Sequence, residues 1–152
     1  GEIPALLDQT NSEDRILIFN YINRYPLYAG SELTGKRIPL MEVPGGGAQF
    51  FSTYKRRSLD LLTAAFGNDA QRLYQAIEPL NATKDQLGHA SITVNAFPHV
   101  PITLVLWEGD DEVPSSSTIL FDESISTFAH IEDIIVLGCV AAEKAIAACK
   151  QA

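Results

Sequence analysis

Phe97-Pro98-His99-Val100-Pro101-Ile102-Thr103-Leu104-Val105-Leu106-Trp107 runs without a break into Glu108-Gly109-Asp110-Asp111-Glu112. From Pro101 to Trp107 the residues are nearly all apolar, bounded by prolines at one end and acids at the other. That is the pattern of a buried central strand. A turn through Pro114, Ser115, Ser116 and Ser117 leads to Thr118-Ile119-Leu120-Phe121-Asp122, which reads as the next strand. On the other side, His89 to Phe97 alternates as a half-buried strand does, with Ile92, Val94 and Ala96 inward. Successive strands set between helical segments imply an α+β class: a small antiparallel sheet covered by helices, forming a single domain over residues 1–152.

The flanking segments fill in the helices. Residues 2–7 suit a short strand. Asn11 or Ser12 can cap a helix that carries Glu13 and Asp14 in its first turn and ends near Tyr25, before Pro26. Arg37 to Val43 reads as a strand, at an edge because it contains Pro39. After Pro44-Gly45-Gly46-Gly47, one helix fits Gln49 to Phe66 with Gly67 as a left-handed stop. A second fits Asp69 to Ile77, capped by Asn68 and followed by Pro79, with a connection over Thr83 to Gly88. The last helix, Glu132 to about Lys150, presents Ile135, Cys139, Ala142 and Ile146 on one stripe.

Composition narrows the function. The chain has 152 residues, 46% of them hydrophobic and 20% charged. No apolar run approaches the ~20 residues needed to cross a bilayer. The net charge of −8 argues against nucleic acid and anionic membranes. The one basic run, Lys55-Arg56-Arg57, is too short to reverse that. Cys139 and Cys149 stand ten residues apart on a helical segment, about 15 Å along its axis and beyond disulfide reach. Neither belongs to a CxxC pair, so cysteine alone encodes no zinc or iron–sulfur site. Reduced thiols and the lack of a visible signal peptide fit a cytoplasmic location.

Several stretches have a chemical reading beside a structural one. Gly30-Ser31-Glu32-Leu33-Thr34-Gly35-Lys36 has phosphate-loop spacing, but Arg37 stands where a magnesium-binding Ser or Thr belongs, and a helix precedes it instead of a strand. Gly45, Gly46 and Gly47 before a helix are the better anion-binding candidate, although three glycines also serve simply to turn the chain. Glu108, Asp110, Asp111, Glu112 and Asp122 could offer oxygens to a hard cation, but their spacing is not that of a calcium loop. The commoner use of such a run is a solvated acidic turn. A third possibility is that Arg56 or Arg57 reaches across to pair with these acids. Trp107 beside them could stack on a planar ligand or belong to the core. His89, His99 and His130 show no ligand spacing, and no GxSxG elbow occurs. The ligand-binding set expected from these residues is Trp107, Glu108, Asp110, Asp111, Glu112, Asp122 and Arg57, with no catalytic constellation and with metal and cofactor unassigned.

The chain resembles the domain-of-unknown-function family 3786 of anaerobic bacteria and archaea. The resemblance rests on Gly30 to Gly35, Glu42 to Gly46, Phe51 with Arg57, the FPxVP and LWEGDDE stretches within Phe97 to Phe121, Ile119-Leu120-Phe121-Asp122, and Glu132-Asp133-Ile134. Two positions depart from the family pattern: Val113 replaces an aromatic, and Ala129-His130-Ile131 replaces Leu-Pro-Thr. Family members run longer at the N-terminus, which implies a trimmed chain. Some are fused to a cysteine-rich iron–sulfur domain of the kind found in corrinoid proteins, whose cysteines this chain lacks. The resemblance implies a setting in anaerobic redox or cofactor metabolism. The function expected is an accessory or ligand-binding domain around Trp107 and the acids. The alternatives are a metal-dependent enzyme with Asp110, Glu112 and Asp122 as ligands, and an assembly subunit docking through the apolar face of its last helix.

Overall fold

A computed structural model describes residues 32–45 and 47–149, together with Ile16 and Tyr21. The strand read over 2–7, the loop at 28–30 and Gly46 lie outside the described residues. Of the helix read over 11–25, only Ile16 and Tyr21 are described, both helical.

Among the described residues, five strands form one antiparallel sheet: β1 (Arg37–Pro39), β2 (Thr83–Asp85), β3 (Ala90–Phe97), β4 (Val100–Trp107) and β5 (Ser116–Asp122), in the order β1-β5-β4-β3-β2. The apolar run that ends in the acids is therefore the middle strand. Its Ile102, Leu104 and Leu106 are fully buried, in line with Ile92 and Val94 of β3 and Ile119 and Phe121 of β5. The β3–β4 turn is only Pro98-His99, with Phe97 opposite Val100 and a bulge between Asn95 and Phe97. β1 is an edge strand, as its proline requires. The other edge, β2, is too short for alternation to reveal it, and what reads as a connection over Thr83 to Gly88 begins with it.

Helices cover one face, making the α+β domain that the sequence implies. They are α1 (Phe51–Arg57), α2 (Leu59–Phe66), a 3-10 segment (Ala70–Ala76) running into the short α3 (Ile77–Leu80), and α4 (Ile131–Cys149). The core lies between this layer and the sheet, where Leu62, Phe66, Leu73, Leu137 and Ala141 meet the strands.

The structure corrects several local expectations. The strand from Arg37 ends at Pro39, and Leu40–Glu42 is a 3-10 turn. The helix read as continuous from Gln49 to Phe66 breaks at Ser58, whose hydroxyl takes the Tyr54 carbonyl at 2.5 Å and competes with the helical ladder. Gly67 is right-handed (φ −62°), and an added Cβ there would lie 2.5 Å from Ser115 Oγ, so it is a point of close approach. The left-handed stop falls instead at Asn81 (φ 51°), after a helix that contains Pro79 in its first turn, where no N–H is required. The buried stripe of α4 runs through Ile134, Leu137, Gly138, Ala141, Ala145 and Cys149. Cys139 and Ala142 join it, while Ile135 and Ile146 stand at its margins. The apolar face that an assembly subunit would need is therefore largely spent on the domain's own core.

The sheet's second face is strongly curled. Arg37 of β1 donates to Asp85 of β2 at 2.6 Å, although these are the two edge strands. Four spacings of about 4.8 Å would hold the edges of a flat sheet about 19 Å apart, farther than one arginine and one aspartate can span. The coil brings them together. Asp85 also accepts from Thr93 Oγ1 at 2.8 Å, and Thr93 bonds Thr103 at 2.8 Å, so a polar chain lines the concave side.

Candidate functional site

Trp107 ends β4 opposite Ser116, and 38% of it is exposed. Its neighbour across the curl is the 87–89 segment. Gly88 is left-handed (φ +58°), and a Cβ there would lie 2.7 Å from the Leu106 carbonyl oxygen and 3.3 Å from Trp107 Cε2. Only glycine lets the chain lie that close to the strand. His89 follows, fixed by its N–H to the Leu106 carbonyl at 2.8 Å. Its Nδ1 accepts the Glu108 N–H at 2.7 Å, which places the proton of a neutral ring on Nε2.

The acids that follow are ordered by the backbone. Glu108 Oε1 accepts the Ala70 N–H at 2.8 Å and so caps the 3-10 segment. Asp110 Oδ1 accepts the N–H groups of Val113 (2.7 Å) and Glu112 (2.8 Å), and its own N–H donates to the Val113 carbonyl at 2.8 Å. Those two N–H groups hold the Asp110 carboxyl below the usual carboxylate range. Asp111 and Glu112 are exposed at the tip. His89, Trp107, Glu108, Asp110, Val113 and Pro114 line an open depression of about 460 Å³. His89 has no local signal in the sequence. It arrives here because β3 pairs with β4, which puts the start of β3 beside the end of β4.

Asp122 does not join this group. β4 and β5 are antiparallel with Trp107 opposite Ser116 and Ile102 opposite Phe121. Asp122 therefore lies six residues along β5, about 20 Å away at the other end of the sheet. It is buried, and its carboxylate accepts the N–H of Thr34 (3.1 Å), Gly35 (2.9 Å) and Ser124 (3.0 Å) and the Ser124 hydroxyl (2.6 Å). Thr34 and Gly35 of the phosphate-loop-like stretch do hold an anion, but the anion is the chain's own. Burial alone would raise the Asp122 carboxyl, yet these hydrogen bonds together hold it below the usual range.

Arg57 also lies apart from the acids: it ends α1 and places Nη2 3.8 Å from Glu143 Oε1 on α4. Gly45 and Gly47 both lie in turns. Gly45 is left-handed (φ +92°), and Gly47 is buried against the Leu40 carbonyl, where any Cβ would clash. The helix after it starts only at Phe51 and has seven residues. Among the described residues, no three of His, Cys, Asp and Glu come together in a way that could hold a metal ion. Cys139 and Cys149 are buried and form no disulfide among the described residues, and no described helix is long and apolar enough to cross a membrane.

The family model described as "Domain of unknown function (DUF3786)" matches residues 2–144. The chain belongs to this family. No curated protein and no solved structure matches it. For a DUF3786 domain the matched span includes the whole sheet, the acidic tip beyond β4, and α4 as far as Lys144.

Proposed function

We propose that this DUF3786 domain is a non-catalytic binding module that receives a positively charged ligand at the Trp107 end of its sheet. The observation that carries this reading is a half-exposed indole beside uncompensated carboxylates. Among the described residues, no ion pair engages Glu108, Asp110, Asp111 or Glu112. The sequence has no lysine or arginine between Lys84 and Lys144, so the strands that build the site bring no cation with them. Glu108 and Asp110 are each committed to backbone N–H groups, which suits fixed charge better than proton transfer. A cation over the indole face would gain about 0.5–2 kcal/mol from the ring quadrupole, and the acids beside it would add attraction that salt weakens. The anaerobic redox or cofactor setting implied by the resemblance belongs to this reading as its biological context.

Trp107 is the only tryptophan, so its emission reports on this site alone. Titration with arginine amide and with spermine is expected to change it saturably, less so as salt rises, while a neutral planar control leaves it unchanged. No saturable response to either cation at millimolar concentration would refute the proposal.

A further inference from the structure

Resting on that reading, we infer that the occupant is a basic polypeptide segment laid across the β4–β5 tip. The depression is largely open to solvent and does not enclose a small molecule in the way a ligand pocket does. Around it stands an exposed apolar patch: Trp107 (38% exposed), Val113 (59%) and Leu87 (38%), the last adjoining the Gly88 backbone that packs on the indole. An apolar centre with a charged rim is the anatomy of a protein interface, and tryptophan is a frequent anchor there.

The charge decides what the partner carries. Glu108, Asp110, Asp111 and Glu112 form the rim with no cation paired to them among the described residues. A partner matching this pattern offers lysines or arginines spaced along an extended chain. One cation sits over Trp107 and the next ones reach toward the tip, since four or five residues of an extended chain span about 13–17 Å. The rim is preorganised: the Asp110 turn and the Glu108 cap are already closed. Binding therefore orders little on this side.

The test uses the full chain and fluorescently labelled dodecapeptides, one alternating lysine with leucine and one alternating glutamate with leucine, beside spermine. The lysine peptide is expected to bind, to weaken as salt rises, and to bind at least about tenfold more tightly than spermine. The glutamate peptide is expected not to bind. Asp111→Asn with Glu112→Gln alters exposed side chains outside the hydrogen-bonded turn and is expected to weaken the lysine peptide about tenfold. Trp107→Ala should do the same, and Leu61→Ala, in the groove between α2 and α4, should not. If spermine binds as tightly as the peptide, the polypeptide inference is overturned while the cation site stands. If the peptide binds but neither the tip pair nor Trp107 matters, the inference is overturned because the segment lies elsewhere. If neither probe binds, the cation site itself fails.

Discussion

Removing the Asp122 carboxylate is the sharpest test of how this fold is held. Asp122→Ala strips the acceptor from three backbone N–H groups and the Ser124 hydroxyl, all between 2.6 and 3.1 Å from it. Thr34 and Gly35 are exposed and can turn to water, so each loses only the net worth of a solvent-exposed hydrogen bond, about 1 kcal/mol. Ser124 is buried (6% exposed) and is left unsatisfied, which costs about 1–3 kcal/mol. The sum is a loss of about 3–5 kcal/mol, read as a fall in the urea midpoint at constant slope. The pH dependence supplies a second arm. The folded carboxyl titrates below its unfolded value, so its contribution is complete above the unfolded value of about 3.9 and is lost as pH falls through the lower folded value. Asp122→Asn should therefore be less stable than the parent at pH 6, and the gap should narrow toward pH 2. A loss below about 1 kcal/mol for the alanine variant, or a gap for the asparagine variant that does not change with pH, would refute the reasoning.

Three further substitutions probe other joints. Gly138→Ala puts a Cβ 2.8 Å from Tyr54 Cε2 and 3.2 Å from Phe121 Cζ, both in buried rings. Overpacking of about 1–3 kcal/mol should exceed the roughly 1 kcal/mol gained in helix propensity, and an unchanged thermal midpoint would contradict this. Tyr54 Oη is buried and makes no hydrogen bond of good geometry among the described residues, while Ser58 Oγ donates its proton to the Tyr54 carbonyl. Tyr54→Phe is thus expected to leave stability unchanged or raise it by about 1 kcal/mol, and a loss of that size in urea would expose a partner. His99 is exposed at φ 65° in the two-residue turn between β3 and β4. Replacement by glycine should stabilise slightly, while valine should cost about 1–2 kcal/mol, and equal melting of the two variants would refute the strain.

Local chemistry was enough to find the three long strands, because each hydrophobic run carries its own period. It also found the edge position of β1 through Pro39 and the acids that cap the central strand. Ser58, Gly67 and Asn81 escaped because helix breaks and stops depend on a hydroxyl, a packing neighbour or a backbone angle that residue identity does not announce. The burying face of α4 was found only in part, with Cys139 and Ala142 at its centre but Ile135 and Ile146 at its margins: alanine and cysteine suit several faces equally, and only docking against Tyr54 and the sheet selects one. The candidate site divides along the same line. Trp107 and Glu108 to Glu112 are contiguous, so their proximity was already written in the chain. Whether Asp122 joined them depended on strand direction: antiparallel pairing sends the end of β5 away from the end of β4, and the same pairing delivers His89 to the indole. Sequence determined which residues carry charge and apolar surface, because those are properties of single side chains and short periods. Tertiary structure decided which of them meet, because register and curl act between segments distant along the chain.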